Sequence, residues 1–364
     1  MTIPSDVRTW AEIDLGAVRH NMDVVRRKVG PQPGIMAVVK ANAYGHGLQE
    51  VAAAVREEAA MFGVANREEA RVLERLGRDI VLLSPALPSE RRDILERGFI
   101  ATVSSAAEAA KFPGGRVHLK IDTGMGRIGC WQEDAVDAVR EIAGLSDVRL
   151  HSISTHLPVP DEDAEFTRGQ LARFAELAEI FRQVVPGVKL HALNSAGILR
   201  FGDEAQDLVR PGLMLYGSAS PQEYQSLLRP ALTWKTRILL VRELGPARSV
   251  SYGRTFVTER PLRAAALAAG YADGFPRQAS GQGAAVLIGG RRCPVLGRVT
   301  MDQIVVDVTD VPEARAGDEV VLVGRQGDDE IFAADLATLA GTIAWDLFAG
   351  LGPRVKRLYS QRPA

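Results

Sequence analysis

Short apolar runs alternate with longer stretches of helical spacing through the first part of the chain. The runs are typical of buried strands, and the longer stretches place their apolar residues on one face of a helix. The predicted strands are Ile35–Val39, Met61–Val64, Ile80–Leu83, Ile100–Val103, Val117–Ile121, Leu150–Ser154, Val188–Leu193 and Leu213–Tyr216. The predicted helices are Leu15–Lys28, Gly47–Glu57, Arg67–Leu76, Glu133–Ile142 and Glu165–Val184. This alternation predicts an α/β fold, a (β/α)8 barrel of the TIM type.

The pattern changes near Leu227–Pro230. Beyond this point strand-like runs follow one another with little helix between them, and glycine-rich turns separate them. These runs are Leu232–Val241, Ala264–Ala269, Ala284–Ile288, Gln303–Val308 and Glu319–Val323, and one helix is predicted over Ala333–Ala349. We therefore expect a barrel domain over residues 1–228 and a mainly β domain over residues 229–364. An open doubly wound sheet is the competing architecture for the first domain, but no Gly-x-Gly-x-x-Gly motif follows a predicted strand.

Composition narrows the class of protein. The chain has 364 residues, which is long for one domain, and its 46% hydrophobic and 24% charged residues are typical of a soluble globular protein. The formal net charge is −1, and neither sign forms a long block. These features argue against an extended surface for nucleic acid or for an anionic membrane.

Cysteine usage and the start of the chain predict a cytoplasmic protein. Cys130 and Cys293 are the only cysteines, too few for a disulfide framework. The first residues lack the apolar core of a signal peptide, and no segment approaches the length of a membrane span. The six histidines are scattered, so no metal site is predicted.

Lys40 follows the first predicted strand and precedes a small, glycine-rich segment. A lysine at the mouth of an apolar barrel can have a lowered pKa, and its neutral amine can form a Schiff base. The alternative is a lysine that ends a strand and points into solvent. This stretch alone leaves both interpretations open.

Other polar residues follow predicted strands in the same way. They are Lys120, Asp122 and Arg127 near the fifth strand, His156 after the sixth, Asn194 and Ser195 after the seventh, and Arg210 before the eighth. The carboxyl ends of barrel strands meet at one face, where the active sites of such barrels lie. The pattern therefore indicates one polar site at that face.

The segment Val38–Gly47, which contains Lys40, resembles the pyridoxal-phosphate signature of the alanine racemase family. Further segments resemble motifs of the same family, in family order and over nearly the whole chain. They are His118–Gly129, Thr155-His156, Asn194–Ala196, Val209–Gly212, Leu215–Gly217, Val250–Gly253, Gly270–Gly274 and Gly297–Gln303. The resemblance implies a barrel followed by a β domain. It also implies a cofactor, pyridoxal 5'-phosphate.

The resemblance implies two catalytic bases. Lys40 would hold the cofactor covalently and, once freed by substrate, act as one base. Tyr252 would be the second base, and in this family it comes from the partner subunit, which implies a homodimer with shared active sites. Racemisation removes a proton from one face of a planar carbon and returns one to the other, so two positioned groups suit it.

Further site residues follow from the resemblance. Arg210 would face the pyridine nitrogen, and because arginine keeps its proton, that nitrogen would stay unprotonated. His156 would hydrogen-bond around Arg210 and Tyr252, with a purely structural histidine as the alternative. The phosphate would be held by Tyr44, Ser195 and the main chain of Gly212 and Leu213, since hydroxyl and N–H groups bind anions. Tyr359 is a candidate for the family's last phosphate-binding tyrosine, although Gly352–Tyr359 aligns in more than one way.

The substrate side of the site is implied in the same manner. Arg127 would contact the substrate carboxylate, because a guanidinium matches carboxylate geometry, and Met301 would line the substrate pocket. Lys120 is carbamylated in many family members, where it orients that arginine. Asn194, Tyr271 and Asp302 would be supporting residues, with Tyr271 at the entrance channel. The sequence departs from the family at Leu157–Pro160, where many members have Phe-Ala.

The implied function is interconversion of L- and D-alanine by a two-base mechanism, supplying D-alanine for peptidoglycan. The implied partners are alanine and a second copy of the chain, with no nucleic acid and no membrane. A serine or broader-specificity racemase stays open, because one sequence does not decide between a methyl and a hydroxymethyl side chain. An amino-acid decarboxylase shares the domain plan. The resemblance argues against it, because in such enzymes a carboxylate pairs with the cofactor where this chain would use Arg210. A cofactor-carrying barrel without enzyme activity would not need the second domain.

Overall fold

A computed structural model of the chain describes residues 6–361, which form two compact units. The first unit comprises residues 17–43 and 47–229. The second comprises residues 6–16, Tyr44–His46 and residues 230–361. The domain division predicted above places residues 1–16 in the barrel, whereas the structure groups residues 6–16 with the β-rich unit.

Eight parallel strands form the sheet of the first unit, as predicted for a TIM-type barrel. In chain order they are Gly34–Val38, Met61–Val64, Asp79–Pro85, Ile100–Val103, Arg116–Asp122, Arg149–Ser154, Lys189–His191 and Leu208–Val209. A short strand, Cys130–Trp131, pairs with the fifth of these. The sheet closes where Leu208–Val209 pairs with Gly34 and Ile35, and where Arg210 N–H donates to Leu193 O at 2.9 Å.

The eighth strand differs from the prediction. Leu213–Tyr216 forms a 3₁₀-helix after Gly212, and the strand is the shorter run Leu208–Val209. Short apolar runs of this kind do not distinguish a strand from a buried helical turn by their periodicity, and the prediction was wrong for that reason. Arg210 consequently follows the last barrel strand, at its carboxyl end, instead of leading into it.

Helices connect the barrel strands. They are Leu15–Val29, Leu48–Ala54, Arg67–Leu73, Arg91–Glu96, Ala106–Ala109, Ala135–Ala143, Ala164–Val184 and Ser195–Phe201. Side-chain oxygens cap several of them in the manner expected of Asn, Ser and Asp. Asn66, Ser105, Asp163 and Asn194 each accept a hydrogen bond from the first turn of the helix that follows.

Apolar side chains fill the barrel near the beginning of its strands. Met36, Met61, Val81, Ile100 and Leu208 form one buried cluster. Each lies at or near the first residue of its strand, so the amino-terminal part of this region is apolar. Burial of these side chains is the main favourable term in closing the barrel.

The second unit is mainly β. Its strands are Thr9–Asp14, Leu232–Leu244, Ser249–Val250, Phe256–Val257, Leu262–Leu267, Ala285–Ile288, Arg291–Pro294, Ile304–Asp307, Glu319–Gln326, Asp329–Ile331 and Lys356–Ser360. Thr9–Asp14 lies between two of them, antiparallel to Leu232–Leu244 and parallel to Lys356–Ser360. This pairing explains why residues 6–16 belong to the β-rich unit.

The late helix of the second unit is divided. The prediction of one helix over Ala333–Ala349 was wrong, because the structure has helices Ala333–Leu339 and Ala344–Ala349. Gly341 adopts a φ of 68°, which ends the first helix in the way expected of a glycine after a C-terminus. No helix among residues 6–361 is long and apolar enough to cross a membrane.

We predict that Met36→Ala lowers the free energy of unfolding by about 2–5 kcal/mol, because it leaves a cavity in a fully buried cluster. The measurement is the midpoint of urea unfolding followed by circular dichroism. Leu87→Ala is the control, since Leu87 is 63% exposed and surface changes stay within about 0.5 kcal/mol. Equal midpoints for the two variants would contradict the packing described.

Candidate active site

Lys40 directly precedes a turn of left-handed helix. It follows the strand Gly34–Val38, and the next four residues, Ala41, Asn42, Ala43 and Tyr44, have φ values of 52°, 54°, 53° and 52°. None of them is glycine, and a left-handed conformation costs roughly 1–2 kcal/mol for each such residue. A turn of this kind persists only where the surrounding structure holds it.

Hydrogen bonds hold this turn within the first unit. Ala41 N–H donates to Glu69 Oε1 at 2.7 Å, and Leu48 N–H donates to Asn42 Oδ1 at 2.9 Å. Gly47 N–H donates to Asn42 O at 2.9 Å. These bonds offset part of the backbone strain and fix the chain on the carboxyl side of Lys40.

The amine of Lys40 is available for chemistry. Its side chain is half-buried, and among residues 6–361 its Nζ has no hydrogen-bond or ion-pair partner. Burial lowers the pKa of Lys40, the charge of Arg127 lowers it further, and Glu69 opposes the shift. A larger fraction of neutral amine is therefore present near neutral pH than for a free lysine.

Two neighbouring strands carry a row of paired polar side chains. His118 lies opposite Ser152, and Lys120 lies opposite Ser154. The ring of His118 contacts Ser152 Oγ through Nδ1 at 2.9 Å and Ser154 Oγ through Nε2 at 3.0 Å. Lys120 Nζ donates to Ser154 Oγ at 3.2 Å. Burial, with the charges of Arg210 and Arg127, holds the pKa of Lys120 well below its usual range, which favours the neutral amine.

Arg210 is a buried cation held by main-chain oxygens and histidine. Its Nη1 donates to His191 Nδ1 at 2.7 Å and to His191 O at 3.0 Å. Its Nη2 donates to Thr155 O and Ala192 O, both at 2.7 Å, and lies 3.4 Å from His156 Nδ1. These contacts use the four Nη hydrogens, and among the described residues the Nε–H has no acceptor. Burial lowers the pKa of Arg210 to about 10, which leaves it charged near neutral pH.

The contact with Arg210 sets the protonation of His191. Because a guanidinium only donates, Nδ1 of His191 accepts and its proton is on Nε2. That Nε2 is buried and has no partner among residues 6–361. Burial and the charge of Arg210 hold the pKa of His191 well below its usual value, and burial with Lys120 and Arg210 does the same for His156. Both histidines are therefore neutral.

Asp122 shapes the loop that carries Arg127. Its carboxylate accepts N–H bonds from Gly124 at 2.9 Å, Met125 at 2.8 Å and Arg127 at 3.1 Å. Burial alone would raise the pKa of Asp122, but these N–H groups lower it below its usual value. Asp122 is thus an ionised loop anchor, and Arg127 beyond it is exposed.

Asn194 and Ser195 follow the seventh barrel strand and lie close to the backbone that follows the eighth. Asn194 caps the helix Ser195–Phe201 by accepting Gly197 N–H, and its amide donates to Leu157 O at 3.0 Å. Ser195 Oγ accepts N–H bonds from Gly212 at 2.9 Å and Met214 at 3.3 Å. A hydroxyl therefore lies beside the main chain that flanks Leu213.

Tyr44 ends the left-handed turn. Its side chain is buried, and burial raises the pKa of Tyr44 to about 12. The phenol is therefore protonated and can donate a hydrogen bond.

In the second unit, Tyr252 is strongly exposed. Its side chain is 70% accessible, although tyrosine is normally covered on one side by packing. Ser251 and Gly253 on either side of it have φ values of 62° and 73°. The Ser251 hydroxyl donates to Arg298 O, and a side chain at Gly253 would lie 2.9 Å from the Arg298 guanidinium. The tight turn therefore holds Tyr252 outward from the unit.

Tyr271, Met301 and Asp302 lie on joined segments of the same unit. Tyr271 N–H donates to Thr300 O and Ala272 N–H donates to Met301 O, both at 3.0 Å. Arg354 contacts Asp302 at 2.7 Å and the buried Asp273 at 3.1 Å. Arg298, which accepts the hydrogen bond from Ser251, lies two residues before Thr300. The turn that carries Tyr252 therefore contacts the same segment that carries Met301.

Some predicted roles have no direct counterpart in these contacts. Tyr359 lies in the strand Lys356–Ser360 opposite Ile13, and its role stays a prediction. Within residues 6–361 no group of three or more His, Cys, Asp or Glu side chains could hold a metal ion.

Sequence reasoning missed His118, His191 and Glu69. One pattern pointed to the first of these, because His118, Lys120 and Asp122 alternate along one strand and Ser152 and Ser154 alternate along the next. Alternate residues of a strand share a face, so this row of polar groups was visible in the sequence. The partners of His191 and Glu69 lie at positions that only the fold brings close.

Comparisons with known proteins agree with this geometry. Residues 13–220 match the family model for the alanine racemase N-terminal domain, and residues 231–359 match that for the C-terminal domain. The alanine racemase of Symbiobacterium thermophilum is 44% identical over 98% of both chains, and that of Halothermothrix orenii is 40% identical over 97% of both.

Solved structures give the same result. The alanine racemase of Streptomyces lavendulae has a TM-score of 0.89 at 36% identity and covers 99% of this chain and 98% of its own. The enzyme of Bartonella henselae with covalently bound pyridoxal phosphate has a TM-score of 0.88 at 28% identity, covering 97% and 99%. With both family models matched and the polar residues gathered at the barrel's carboxyl end, the chain belongs to the alanine racemase family of isomerases.

Proposed function

We propose that the chain interconverts L- and D-alanine with pyridoxal 5'-phosphate, using Lys40 and Tyr252 as its two bases. The observation that carries the proposal is the state of Lys40. Its amine lies at the carboxyl end of a barrel strand, half-buried, with a lowered pKa and with no partner among the described residues. A covalently held cofactor requires such an amine.

The residues of the first unit fit this cofactor. When bound, it supplies an aldehyde for an amine and a conjugated ring that withdraws electron density from the substrate. Lys40 Nζ is the free amine, and the Nε–H of Arg210 is the donor left over for a ring nitrogen. Ser195, with the main chain of Gly212 and Leu213, supports phosphate binding. Tyr44 is grouped with the second unit, and its protonated phenol suits the same role.

Arg210 supports racemisation over competing chemistry. It stays charged near neutral pH because burial lowers its pKa only to about 10. A donor that keeps its proton leaves the ring nitrogen unprotonated, which weakens electron withdrawal and limits side reactions. A decarboxylase of the related kind would have a carboxylate at this position, so Arg210 argues against that alternative.

The two bases would act on opposite faces of the substrate carbon. Lys40 exchanges a proton on one face with its neutral amine, and Tyr252 exchanges a proton on the other with its phenolic oxygen. Tyr252 is exposed on its own unit, which supports its use by the site of a second copy. We therefore propose a homodimer with shared active sites.

We propose that the substrate is bound by the residues that the family resemblance implies. Arg127 binds the carboxylate, and Met301 lines the pocket with Tyr271 and Asp302 nearby. The pKa of Lys120 is lowered, which favours the neutral amine that reacts with carbon dioxide and supports carbamylation beside Arg127. His156 contacts Arg210 and would extend the network to Tyr252. We further propose a cytoplasmic enzyme that supplies D-alanine for peptidoglycan.

The deciding experiment is a panel of L-amino acids incubated with the purified protein and resolved by chiral chromatography. D-alanine should form fastest. Faster conversion of serine would favour a serine racemase, several products would favour a broad-specificity racemase, and release of carbon dioxide would establish a decarboxylase.

We predict that Lys40→Ala abolishes both the visible absorbance of the bound cofactor and the exchange of the alanine α-hydrogen with deuterium from solvent. The amine is needed for both steps. The measurements are an absorbance spectrum and proton NMR in deuterium oxide. Lys111→Ala, an exposed lysine on the same unit, should change neither. Retained colour together with retained exchange in Lys40→Ala would disprove the assignment.

We predict that Tyr252→Phe keeps the cofactor colour but lowers the rate of α-proton removal from L-alanine by about 10²–10⁴-fold, the usual contribution of a general base. Removal from D-alanine should fall less, because Lys40 serves that face. Single-turnover deuterium exchange from each isomer measures the two steps. Tyr224→Phe, a half-buried tyrosine of the first unit, is the control. Equal losses for both isomers would argue against the division of roles.

We predict that reaction of the cofactor-free protein with added pyridoxal phosphate accelerates as pH rises, with a midpoint below 10.5. Only the neutral amine reacts, and the pKa of Lys40 is lowered from 10.5 by burial and by Arg127. The initial rate of absorbance change, measured against pH, gives the midpoint. Free lysine that is acetylated on its α-amino group should show its midpoint near pH 10.4. A protein midpoint at or above that value would contradict the lowered pKa.

A further inference from the structure

Glu69 joins two backbone segments through one carboxylate. It occupies the third position of the helix Arg67–Leu73, whose first turn is capped by Asn66. Oε2 accepts the N–H of Ala65 at 2.8 Å, and Oε1 accepts the N–H of Ala41 at 2.7 Å. The first bond is local, while the second reaches a residue 28 positions earlier in the chain.

A second helix of the same unit shows what local capping alone requires. Glu108 is the third residue of the helix after Ser105, and its N–H donates to Ser105 Oγ. Its Oε2 accepts the N–H of Ser104 at 2.7 Å, which matches the Ala65 bond of Glu69. Among the described residues the other oxygen of Glu108 has no partner. Capping therefore uses one carboxylate oxygen, and the second oxygen of Glu69 serves another purpose.

The second oxygen acts on the peptide group between Lys40 and Ala41. That peptide group begins a left-handed turn that contains no glycine before Gly45, so its orientation needs an external hold. A bond from backbone N–H to an ionised carboxylate is stronger than a neutral one. Fixing this peptide plane fixes the direction of the Lys40 side chain from its Cα.

We propose that Glu69 is a positioning residue for Lys40, holding the Lys40–Ala41 peptide so that the amine stays in its reactive conformation. The inference rests on the proposed function, because it takes Lys40 as the cofactor-binding lysine. Glu69 does not touch the reacting atoms. Its charge also opposes the effect of Arg127 on the pKa of Lys40.

The experiment compares Glu69→Gln and Glu69→Ala with the matched variants Glu108→Gln and Glu108→Ala in the full-length protein. Three measurements are made on each: hydrogen exchange at the Ala41 amide, the rate of adduct formation with added pyridoxal phosphate, and kcat and KM for alanine racemisation. Thermal unfolding of all four variants reports the shared loss of the helix cap.

We expect the Glu69 variants to speed exchange at Ala41 about tenfold or more, since a charge-assisted bond is lost. Adduct formation and kcat should fall about tenfold to a hundredfold, as for other displaced catalytic groups, while KM changes little. Glu69→Gln can still accept one bond, so its effects should be smaller than those of Glu69→Ala. The Glu108 variants should lower stability similarly but leave all three measurements near wild type.

Equal behaviour of the Glu69 and Glu108 variants would reduce Glu69 to a helix cap and overturn the proposal. Faster exchange at Ala41 with unchanged adduct formation and kcat would overturn it as well. If the wild-type protein failed to racemise any amino acid, the proposed function would fall. The positioning role would then be decided by adduct formation alone, which must slow in the Glu69 variants and stay normal in the Glu108 variants.

Discussion

A buried guanidinium without a carboxylate partner adds to the effect of burial on several pKa values in the barrel site. Arg210 donates to three carbonyl oxygens and to His191, and none of its hydrogen bonds within residues 6–361 goes to an acid. Removing a cation from water is costly, and main-chain oxygens repay part of that cost without neutralising the charge. The uncompensated charge then acts on one lysine and three histidines of the site.

The effects of that charge agree in sign. The pKa values of Lys120, His118, His156 and His191 are all lowered, with burial as the first cause and Arg210 among the others. The three histidines are therefore neutral near neutral pH, so each can accept as well as donate a hydrogen bond. Arg210 therefore adds to the effect of burial on Lys120, while the pKa of Lys40 is lowered by burial and by Arg127.

Much of the fold and part of the site could be predicted from the sequence. Strands such as Met61–Val64 and Ile100–Val103 were found with their exact bounds because each is a short apolar run between turn residues. Leu213–Tyr216 has the same composition and is helical, since strand pairing at that point is used by Leu208–Val209. The strand Thr9–Asp14 was not predicted from the sequence, because its partner strands lie more than two hundred residues later in the chain.

The features of the site also divide into those that the sequence predicts and those that it does not. Lys40, Ser195 and Arg210 follow barrel strands and Lys120 lies near the end of one, so their position at one face could be inferred from the alternation of elements. The left-handed turn after Lys40 could not, because only Asn42 of its four residues is of a type that adopts this conformation readily, and then as a single residue. Its conformation is imposed by distant groups, Glu69 among them. Strain without glycine, held by a charged residue of another helix, indicates that the position of Lys40 matters more to this protein than the local stability of its backbone.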